Sequence, residues 1–579
     1  MDNDKNKKII LVLVILTVIF TIIGGSLAYF SWISSEAQKT NIVFTVERTF
    51  SCAADGGGSI TNNSAIIVPT LVNSNTTGNY IKREVKVTPT INQNRKTIYM
   101  DLWLDINKLD SGLSNSTHFN YAFTTTDSYP TEATRSGNFN GKKVGDKVML
   151  LNSETFSASG TNTYYLWIWL DAEETSSDTM DQSFSLSLNG SCTDAIPVEP
   201  NAPDLDDGMI PVIISDTGIT KTISKDNTSW YNYKEKQWAN VVLVNSSSRS
   251  KYLNTTGVTV NEDDILAYYV WIPRYKYKIW SVDNESKTGQ EQEIQIVFES
   301  KTDKKTLGTQ VGEYRTHPAF TFGNTELNGI WVGKFETTGT ADTPTIKPNL
   351  QSLSNQKISA QFTTAQKLGT SVYGSTSKID AHMMKNSEWG AVAYLSHSKY
   401  GTNKEIRINN YYNNGFLTGC GANTENESSS NTCGIIYGKA ISYPQSTTGN
   451  ITGIFDMSGG ASEYVMGYYS EASTAWGATS SGNFAGFSSK PASKYFDDYT
   501  TTNPLTACNG GICYGHGLSE VRNWYGDYAG FVNAEYPWFI RGGSIYNGAS
   551  AGAFGFIGTD GGAYGNDGFR VVLSFIEAL

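Results

Sequence analysis

The run from Ile9 to Phe30 carries no charged residue, and it constrains the rest of the chain more than any other feature of the sequence. A helix needs roughly 20 apolar residues to cross a bilayer core, so this run is long enough to span one. The lysines before it place the N-terminus in the cytoplasm and the chain after Phe30 outside, by the positive-inside rule. Ser26-Leu27-Ala28 has the form of a cleavage site, so residues 1–31 are either a removed signal peptide or a permanent transmembrane anchor.

The length and charge of the chain limit both its architecture and its partners. A chain of 579 residues has room for several domains of ordinary size, because a single core stops growing at about 250 to 300 residues. The net charge is −11, and no basic block lies outside the extreme N-terminus. Binding to nucleic acid depends on neutralising phosphates with basic side chains, so we exclude nucleic acid as a partner.

The stretch from 40 to 193 has the pattern of β-strands. Apolar and polar residues alternate along Ile98 to Ile106, which predicts a half-buried strand. Tyr164 to Leu170 is apolar on both faces, and such a run is typical of a central strand. Leucines alternate with serines again from Phe184 to Leu188. We therefore predict a β-sandwich that serves as a stalk.

Six cysteines occur in this exported chain, and an even number favours disulfides. A zinc site would need CxxC pairs or neighbouring histidines, and the chain has neither, because its five histidines are scattered. The expected disulfide pairs are Cys52 with Cys192, Cys420 with Cys433, and Cys508 with Cys513.

Spaced prolines without an apolar period mark residues 194–208 as an extended linker. Residues 209–266 form a small aromatic-rich segment in this prediction, and 267–579 form a larger, Gly-rich domain. Its best helix candidates are Gln361–Leu368 and Ala381–Ser396. The expected fold class is α+β, β-rich and multi-domain.

Four separated strings in the larger domain carry a recognisable pattern. They are Gly329–Glu336 (GIWVGKFE), Met383–Ala391 (MMKNSEWGA), Asp456–Val465 (DMSGGASEYV), and Arg541–Ser544 (RGGS) with Gly568–Val572 (GFRVV). Together they resemble the formylglycine-generating-enzyme (sulfatase-modifying factor) branch of the C-type lectin fold. The resemblance extends from Tyr268 to Leu579 and implies a C-type-lectin-like domain there.

The resemblance to this enzyme branch does not extend to its chemistry. Those enzymes hold copper with a pair of cysteines, one of them between the RGGS and GFR strings, whereas residues 541 to 570 contain no cysteine or histidine. We therefore expect no enzymatic activity and assign no catalytic residue. A formylglycine-generating-type enzyme remains the alternative.

The stretch between the RGGS and GFR strings is similar to proteins diversified by retroelements within the same fold superfamily. In that family a template copied with errors at adenines rewrites chosen positions on a fixed scaffold. The scaffold positions carried over to this chain are Arg541, Gly542, Gly543, Tyr546, Asn547, Gly548, Ala551, Gly552, Phe554, Phe556, Gly561, Ala563, Gly565, Asp567, Gly568, Phe569 and Arg570. The display positions, which would form a ligand-binding face, are Ser544, Ile545, Ser550, Gly555, Ile557, Gly558, Thr559, Asp560, Gly562, Tyr564 and Asn566.

This second resemblance implies that an external protein or glycan binds to the display positions, at the surface of a bacterial cell or on a secreted protein. Small scaffold residues would allow close backbone packing while the polar and tyrosine side chains between them project outward. The aromatics that precede this stretch, Trp524, Tyr525, Tyr528, Phe531, Tyr536, Pro537 and Trp538, are predicted to pack in the core rather than bind ligand.

No cofactor is expected, and the assignment of a metal stays open. The C-type lectin fold often carries structural calcium, and Asp497, Asp498, Asp527 and Asp560 offer oxygen ligands, but no loop has a diagnostic spacing. The segment from the membrane run into Ala28-Tyr29-Phe30 and on to Asn41–Val46 also resembles the start of camelysin-type and biofilm-matrix fibre proteins. A structural surface or fibre subunit is therefore a second alternative function.

Overall fold

A computed structural model divides the chain into two units, Met1–Pro197 and Val198–Leu579. It describes residues 40–45, 50–57, 59–61, 80–91, 98–127, 133–179, 182–193, 199–279, 291–308, 313–411, 415–421, 433, 435–471, 485–508 and 511–576. No helix among these residues is long and apolar enough to cross a membrane. The predicted membrane segment, residues 1–31, lies outside the described residues.

The first unit consists of two antiparallel sheets. Its strands in chain order are β1 (Thr40–Thr45), β2 (Phe50–Gly57), β3 (Ser59–Thr61), β4 (Ile81–Ile91), β5 (Ile98–Leu109), β6 (Phe119–Thr124), β7 (Ala133–Asn138), β8 (Lys147–Phe156), β9 (Asn162–Leu170) and β10 (Phe184–Thr193), with a short helix α1 (Ser111–Asn115). One sheet has the order β1-β2-β4-β9-β6-β7, and the other has the order β3-β10-β5-β8. The sheets face each other, because Phe119 of β6 and Phe184 of β10 bring their ring centroids within 5.0 Å.

The run at Tyr164–Leu170 lies in β9, a central strand between β4 and β6. Trp167 and Ile168 of this strand are both buried although they point to opposite sides of the sheet. On one of these sides Trp167 packs with Ala122, Tyr80, Tyr165 and Trp169. Cys52 and Cys192 lie in β2 and β10, and these strands contact each other. The cysteine side chains lie outside what the structure describes, so this disulfide stays a prediction.

The second unit is built around a seven-stranded antiparallel sheet. Its order is β12-β11-β13-β14-β20-β29-β23. The strands of this unit in chain order are β11 (Ile210–Ile214), β12 (Thr220–Thr222), β13 (Asn240–Val244), β14 (Ile265–Pro273), β15 (Tyr275–Lys278), β16 (Gln295–Phe298), β17 (Arg315–Thr316), β18 (Thr321–Phe322), β19 (Thr325–Glu326), β20 (Gly329–Gly333), β21 (Thr338–Gly339), β22 (Pro344–Thr345), β23 (Ile379–Met383), β24 (Ser462–Tyr469), β25 (Asp497–Tyr499), β26 (Trp538–Gly542), β27 (Gly552–Thr559), β28 (Asp567–Phe569) and β29 (Val571–Phe575).

A second sheet of this unit carries the C-terminal strings of the sequence. Its order is β25-β24-β26-β27, and β28 also pairs with β24. Strands β26 and β27 are antiparallel neighbours in which Ile540 lies opposite Ile557. The smaller sheets are β16-β15-β17, β18-β19 and β21-β22. Several sheets in two units confirm the β-rich, multi-domain architecture expected from the sequence.

In the part of this unit that the structure describes, three helices accompany these sheets: α2 (Arg249–Tyr252), α3 (Ile358–Lys367) and α4 (Asn386–Ser396). Helix α4 is buried along its whole length, and Glu388 in its first turn accepts a hydrogen bond from the Lys385 backbone N–H at 2.8 Å. The predicted helix Ala381–Ser396 is too long at its start, because Ala381–Met383 belong to β23 and pair with β29. The strand Ile379–Met383 is buried on both sides although it contains Asp380 and His382, and so short a segment shows no period that separates a strand from a helix.

The segments predicted as a linker (194–208) and as a separate aromatic-rich piece (209–266) differ from what the structure shows. Strands β11, β12 and β13 extend the seven-stranded sheet, so residues 209–266 are part of the second unit rather than a separate segment. The end of the predicted linker is fixed to the same sheet, since the indole N–H of Trp331 donates to the Asp204 carbonyl at 2.6 Å. The contact to Trp331 is made by the main-chain carbonyl of Asp204. The side-chain pattern of the sequence therefore could not reveal it.

Candidate ligand-binding face

The RGGS string ends β26 and turns the chain toward the predicted display positions. Gly542 and Gly543 both have left-handed backbones, with φ of 79° and 64°. A Cβ on Gly543 would stand 2.9 Å from the Cα of Ala551, so only glycine allows this close approach. Ser544 then caps a 3₁₀ segment, Ile545–Ser550, that leads into β27.

Arg541 holds the strands beneath this turn. Its guanidinium is fully buried and donates to the Gly555 carbonyl at 3.0 Å, the Asn386 side chain at 3.0 Å and the Gly517 carbonyl at 2.7 Å. Burial lowers the pKa of Arg541 to about 9. Arg541 therefore joins β26, β27 and the start of α4 through hydrogen bonds rather than through a salt bridge.

Arg570 is the second buried guanidinium, and the sequence strings meet around it. It pairs with both oxygens of Glu463, at 3.0 and 2.5 Å, and donates to the carbonyls of Gly333 and Phe455. Burial raises the pKa of Glu463 to about 7 and the pKa of Asp456 to about 6. The strings GKFE, DMSGGASEYV and GFRVV are thus in direct contact in the folded unit.

The predicted display positions are only partly at the surface. Ile557 and Tyr564 are exposed, at 38% and 41%. Partly exposed display positions are Ser550, Gly558, Asp560 and Asn566. Five others are buried: Ser544, Ile545, Gly555, Thr559 and Gly562. These five correct the prediction, because a buried residue cannot contact a ligand.

The burial of two of these positions has an identifiable cause. Ile545 packs against Phe416 and Ala461 in a small core cluster. Gly562 is covered by a neighbouring ring, because a Cβ at this position would stand 2.9 Å from the ring of Tyr564. Conversely, some predicted scaffold positions are exposed, above all Tyr546 at 62%. The near-alternating spacing in the sequence therefore does not correspond to one face of a strand.

Four exposed apolar and aromatic side chains form a surface that we call the tyrosine patch: Tyr528, Tyr536, Ile557 and Tyr564. Ile557 lies in β27 and Tyr564 in the loop after it, whereas Tyr528 and Tyr536 belong to the segment before β26. The backbone of Tyr528 pairs with the edge of β27, accepting from the Phe556 N–H at 2.9 Å. A Cβ on Gly530 would stand 3.0 Å from the Tyr528 ring and 3.3 Å from Ile557. These two side chains are therefore close neighbours.

Tyr536 and Tyr564 continue the tyrosine patch. A Cβ on Gly558 would stand 3.2 Å from the Cβ of Tyr536, so Tyr536 lies over a position that has no side chain. Tyr564 donates to Asp560 at 2.9 Å. That hydrogen bond, with burial, the charges of Asp560 and Asp567, and nearby Tyr536, raises the pKa of Tyr564 to about 12.

Sequence reasoning missed half of this patch. Of the aromatics predicted to pack in the core, Trp524 and Trp538 are buried, but Tyr528 and Tyr536 are 51% and 44% exposed. The residue type could have indicated which of these aromatics reach the surface, because the tyrosine hydroxyl favours a position with access to water.

The patch presents acidic but no basic groups from its own stretch of chain. Between residues 523 and 569 the sequence has one basic residue, Arg541, and it is buried. Glu535 is exposed and Asp560 is partly exposed. This stretch of the chain therefore offers a ligand tyrosine rings, an isoleucine and carboxylates.

A small cavity lies behind the patch, between the end of α4 and β27. Asp527, His397 and Tyr525 line it. Its volume of about 10 Å³ has room for roughly one water molecule. Burial lowers the pKa of His397 to about 4 and raises the pKa of Asp527 to about 8. Both side chains are therefore largely uncharged at neutral pH.

The predicted calcium ligands do not come together. Asp497 accepts hydrogen bonds from the Ser387 backbone and hydroxyl at the start of α4, Asp560 binds Tyr564, and Asp527 is buried behind β27. Within the described ranges, the one group of three potential ligands close enough to share a metal ion is His118, Asp171 and Glu173 of the first unit, all at least partly exposed.

Two disulfides are present in the second unit, Cys420–Cys433 and Cys508–Cys513. Both lie outside the stretch 541–570, where the copper-binding enzymes have a reactive thiol. The cysteines that the structure describes in this unit are therefore engaged with each other.

Asp527, which lines the small cavity between α4 and β27, allows a test of how strongly burial shifts the pKa there. The ordinary pKa of an aspartate is about 3.9, so a folded-state pKa of about 8 means that the folded protein binds the extra proton between these values. Stability from Asp527 is then fully present below pH ~4 and is lost as the pH rises through about 8, at up to about 1.4 kcal/mol per pH unit.

We expect Asp527→Asn to remove this dependence, because the amide resembles the protonated carboxyl. Urea unfolding between pH 4 and pH 9 should show the variant gaining stability over the wild type as the pH rises. Glu535→Gln, an exposed acid on the same face, is the matched control and should follow the wild type. Parallel curves for Asp527→Asn and the wild type would contradict this assignment.

Comparisons with known proteins leave the family open. No family model matches the chain, and no curated protein matches it. Among solved structures it is compared with "Crystal structure of Botulinum neurotoxin serotype D binding domain", at 7% identity and a TM-score of 0.11, covering 54% of this chain and 88% of that chain. A TM-score this low does not indicate a shared fold.

Proposed function

We propose that this protein is a surface-displayed receptor or adhesin whose second unit is a C-type-lectin-like domain that binds an external protein or glycan through the tyrosine patch. The first unit serves as its stalk, and the N-terminal apolar run holds the chain in the membrane or exports it. Binding uses a preformed surface, and no catalytic step is required.

The observation that carries this proposal is the tyrosine patch itself. Tyrosine is the residue on which many paratopes depend, because it supplies a large rigid contact area at a low cost in conformational entropy. Tyr528, Tyr536 and Tyr564 stand within the same short stretch of a buried, hydrogen-bonded scaffold. Exposed aromatic groups on a rigid support favour recognition of a partner over a purely structural role.

The meeting of the sequence strings around Arg570 supports the lectin-like part of the proposal. Strings that are far apart in the chain contact one guanidinium, and Arg541 holds the strands that frame the patch. A fixed scaffold of this kind tolerates replacement of exposed side chains, because surface substitutions away from special contacts usually change stability by less than about 0.5 kcal/mol.

Diversification by a retroelement is the part of the proposal that DNA can test. We expect the DNA downstream of the region for residues 530 to 579 to contain a second copy of that region, with adenines where the two copies differ, near a reverse transcriptase gene. The differences should fall on display positions, above all on the exposed or partly exposed ones, Ser550, Ile557, Gly558, Asp560, Tyr564 and Asn566.

The outcome of this sequencing separates the alternatives. A copy that differs at those positions supports a diversified binding face. If no copy exists, or if its differences ignore the display positions, the diversified face is excluded and a fixed surface protein is the better account. A neighbouring sulfatase gene would instead favour the formylglycine-generating enzyme.

A further inference from the structure

A second concave site lies in the same unit, formed by residues outside the tyrosine patch. Glu199, Tyr231, Tyr233, Lys234, Phe298 and Tyr400 line it. Its volume is about 310 Å³. Ligand sites of small molecules usually range from about 300 to 1,000 Å³, so this aromatic cleft is large enough for one or two sugar rings.

Four aromatic rings line the aromatic cleft. Tyr231 and Tyr233 have ring centroids 5.9 Å apart at an interplanar angle of 64°, and Tyr233 and Phe298 are 5.8 Å apart at 73°. Phe298 and Tyr400 are 4.6 Å apart at 45°. Tyr233, Phe298 and Tyr400 pack edge-on within the core of the unit and form the floor of the cleft, while Tyr231 is partly exposed beside them.

The cleft is preformed. The Tyr233 hydroxyl donates to the Trp271 carbonyl at 2.7 Å, which fixes the floor of the cleft to β14. The Asn232 side chain accepts from the backbone N–H of Lys234 at 3.1 Å and caps the short 3₁₀ turn that follows it. A ligand therefore does not have to order these groups, which reduces the entropic cost of binding.

The two charged side chains at the cleft, Lys234 and Glu199, limit the class of ligand that it can bind. Lys234 and Glu199 form an ion pair at 2.6 Å, with both side chains substantially exposed, 41% and 76%. The pair is neutral as a whole, so neither an anion nor a cation gains by entering. It does provide N–H donors and carboxylate acceptors side by side, the arrangement that adjacent hydroxyl groups of a sugar can use.

We propose that the aromatic cleft binds a neutral pyranose unit of a glycan. The apolar C–H face of the sugar would lie against the ring of Tyr231, which is half-buried, and its hydroxyls would bind Lys234 and Glu199. An aromatic face attracts polarised C–H groups, and the weak contacts add to the area that both surfaces bury. This site would act independently of the tyrosine patch, since the two share no residue.

Saturation-transfer NMR on the full-length chain tests the proposal. The probes are cellobiose, lactose, maltose and N,N′-diacetylchitobiose, with a proline-rich peptide as the competing ligand class. We expect transfer to at least one disaccharide and none to the peptide. Tyr231→Ala should raise the dissociation constant of that sugar about tenfold, which corresponds to about 1.4 kcal/mol of binding free energy. Tyr231→Phe keeps the ring, so its dissociation constant should stay close to that of the wild type.

Two further variants keep the test decisive. Lys234→Ala changes an exposed side chain, so it should remain folded and still weaken sugar binding several-fold. Tyr564→Ala, in the tyrosine patch, should leave sugar binding unchanged. Absence of transfer to every disaccharide, transfer to the peptide alone, or equal affinity of wild type, Tyr231→Ala and Lys234→Ala would each overturn the proposal, whatever the DNA comparison shows about the display positions.

Discussion

Replacing Arg570 by methionine is expected to lower the free energy of unfolding of the second unit by about 3–5 kcal/mol, the usual cost of removing one partner from a buried ion pair. The guanidinium is fully buried, and so is Glu463, whose two carboxylate oxygens both accept hydrogen bonds from it. Without Arg570 the Glu463 carboxylate would remain in the core with no cation beside it. The carbonyls of Gly333 and Phe455 would lose their donor as well.

A double replacement separates the charge from the packing. Arg570→Met with Glu463→Leu removes both charges, so we expect it to recover a large part of the lost stability. Urea unfolding, followed by hydrogen exchange of peptides from each unit, measures both effects, and the first unit serves as an internal control because it lacks these residues. A loss below about 1 kcal/mol for Arg570→Met would show that the pair does not hold the strings together.

The sequence was most informative where one physical pattern had one structural meaning. Alternation along Ile98–Ile106 identified β5, and apolar residues on both faces of Tyr164–Leu170 identified a central strand. Ala381–Met383 fitted either element, since so short a buried segment shows neither a helical nor a strand period. Its pairing with β29, almost two hundred residues away in the chain, decided the matter, and no local pattern reports such a contact.

The candidate site shows the same limit. Glycines and arginines of the RGGS and GFR strings could be recognised as scaffold, because a left-handed backbone and a buried guanidinium demand particular residues. The exposure of single display positions could not be predicted, because the chain leaves β26 through a turn and a 3₁₀ segment. Ile545 is directed into a small core cluster, and Tyr528 reaches the surface from a different segment.

Replacing the whole tyrosine patch by serine is expected to have the largest effect on binding. Hot-spot side chains cost at least about 2 kcal/mol each when truncated, and tyrosines are enriched among them. The variant Tyr528→Ser, Tyr536→Ser, Ile557→Ser and Tyr564→Ser removes four exposed side chains and leaves Arg541 and Arg570 in place. We expect the affinity for a patch ligand to fall by about a hundredfold or more, about 2.7 kcal/mol.

A matched control comes from the same unit. Ile213, Ile219 and Val372 are also apolar and exposed, at 40%, 48% and 65%, but they lie outside the tyrosine patch. Their replacement by serine removes a comparable apolar surface, so any loss of binding that both variants share would report general stickiness rather than a specific face. Hydrogen exchange of both proteins verifies that each remains folded.

The measurement that tests the central claim most directly is the affinity of peptides selected from a random phage-displayed library on the immobilised full-length chain. Each selected peptide is titrated against the wild type, the tyrosine-patch variant and the control variant. The account predicts that most peptides compete for one site, lose about a hundredfold or more in affinity for the patch variant, and bind the control like the wild type. Peptides that bind all three proteins equally would contradict it.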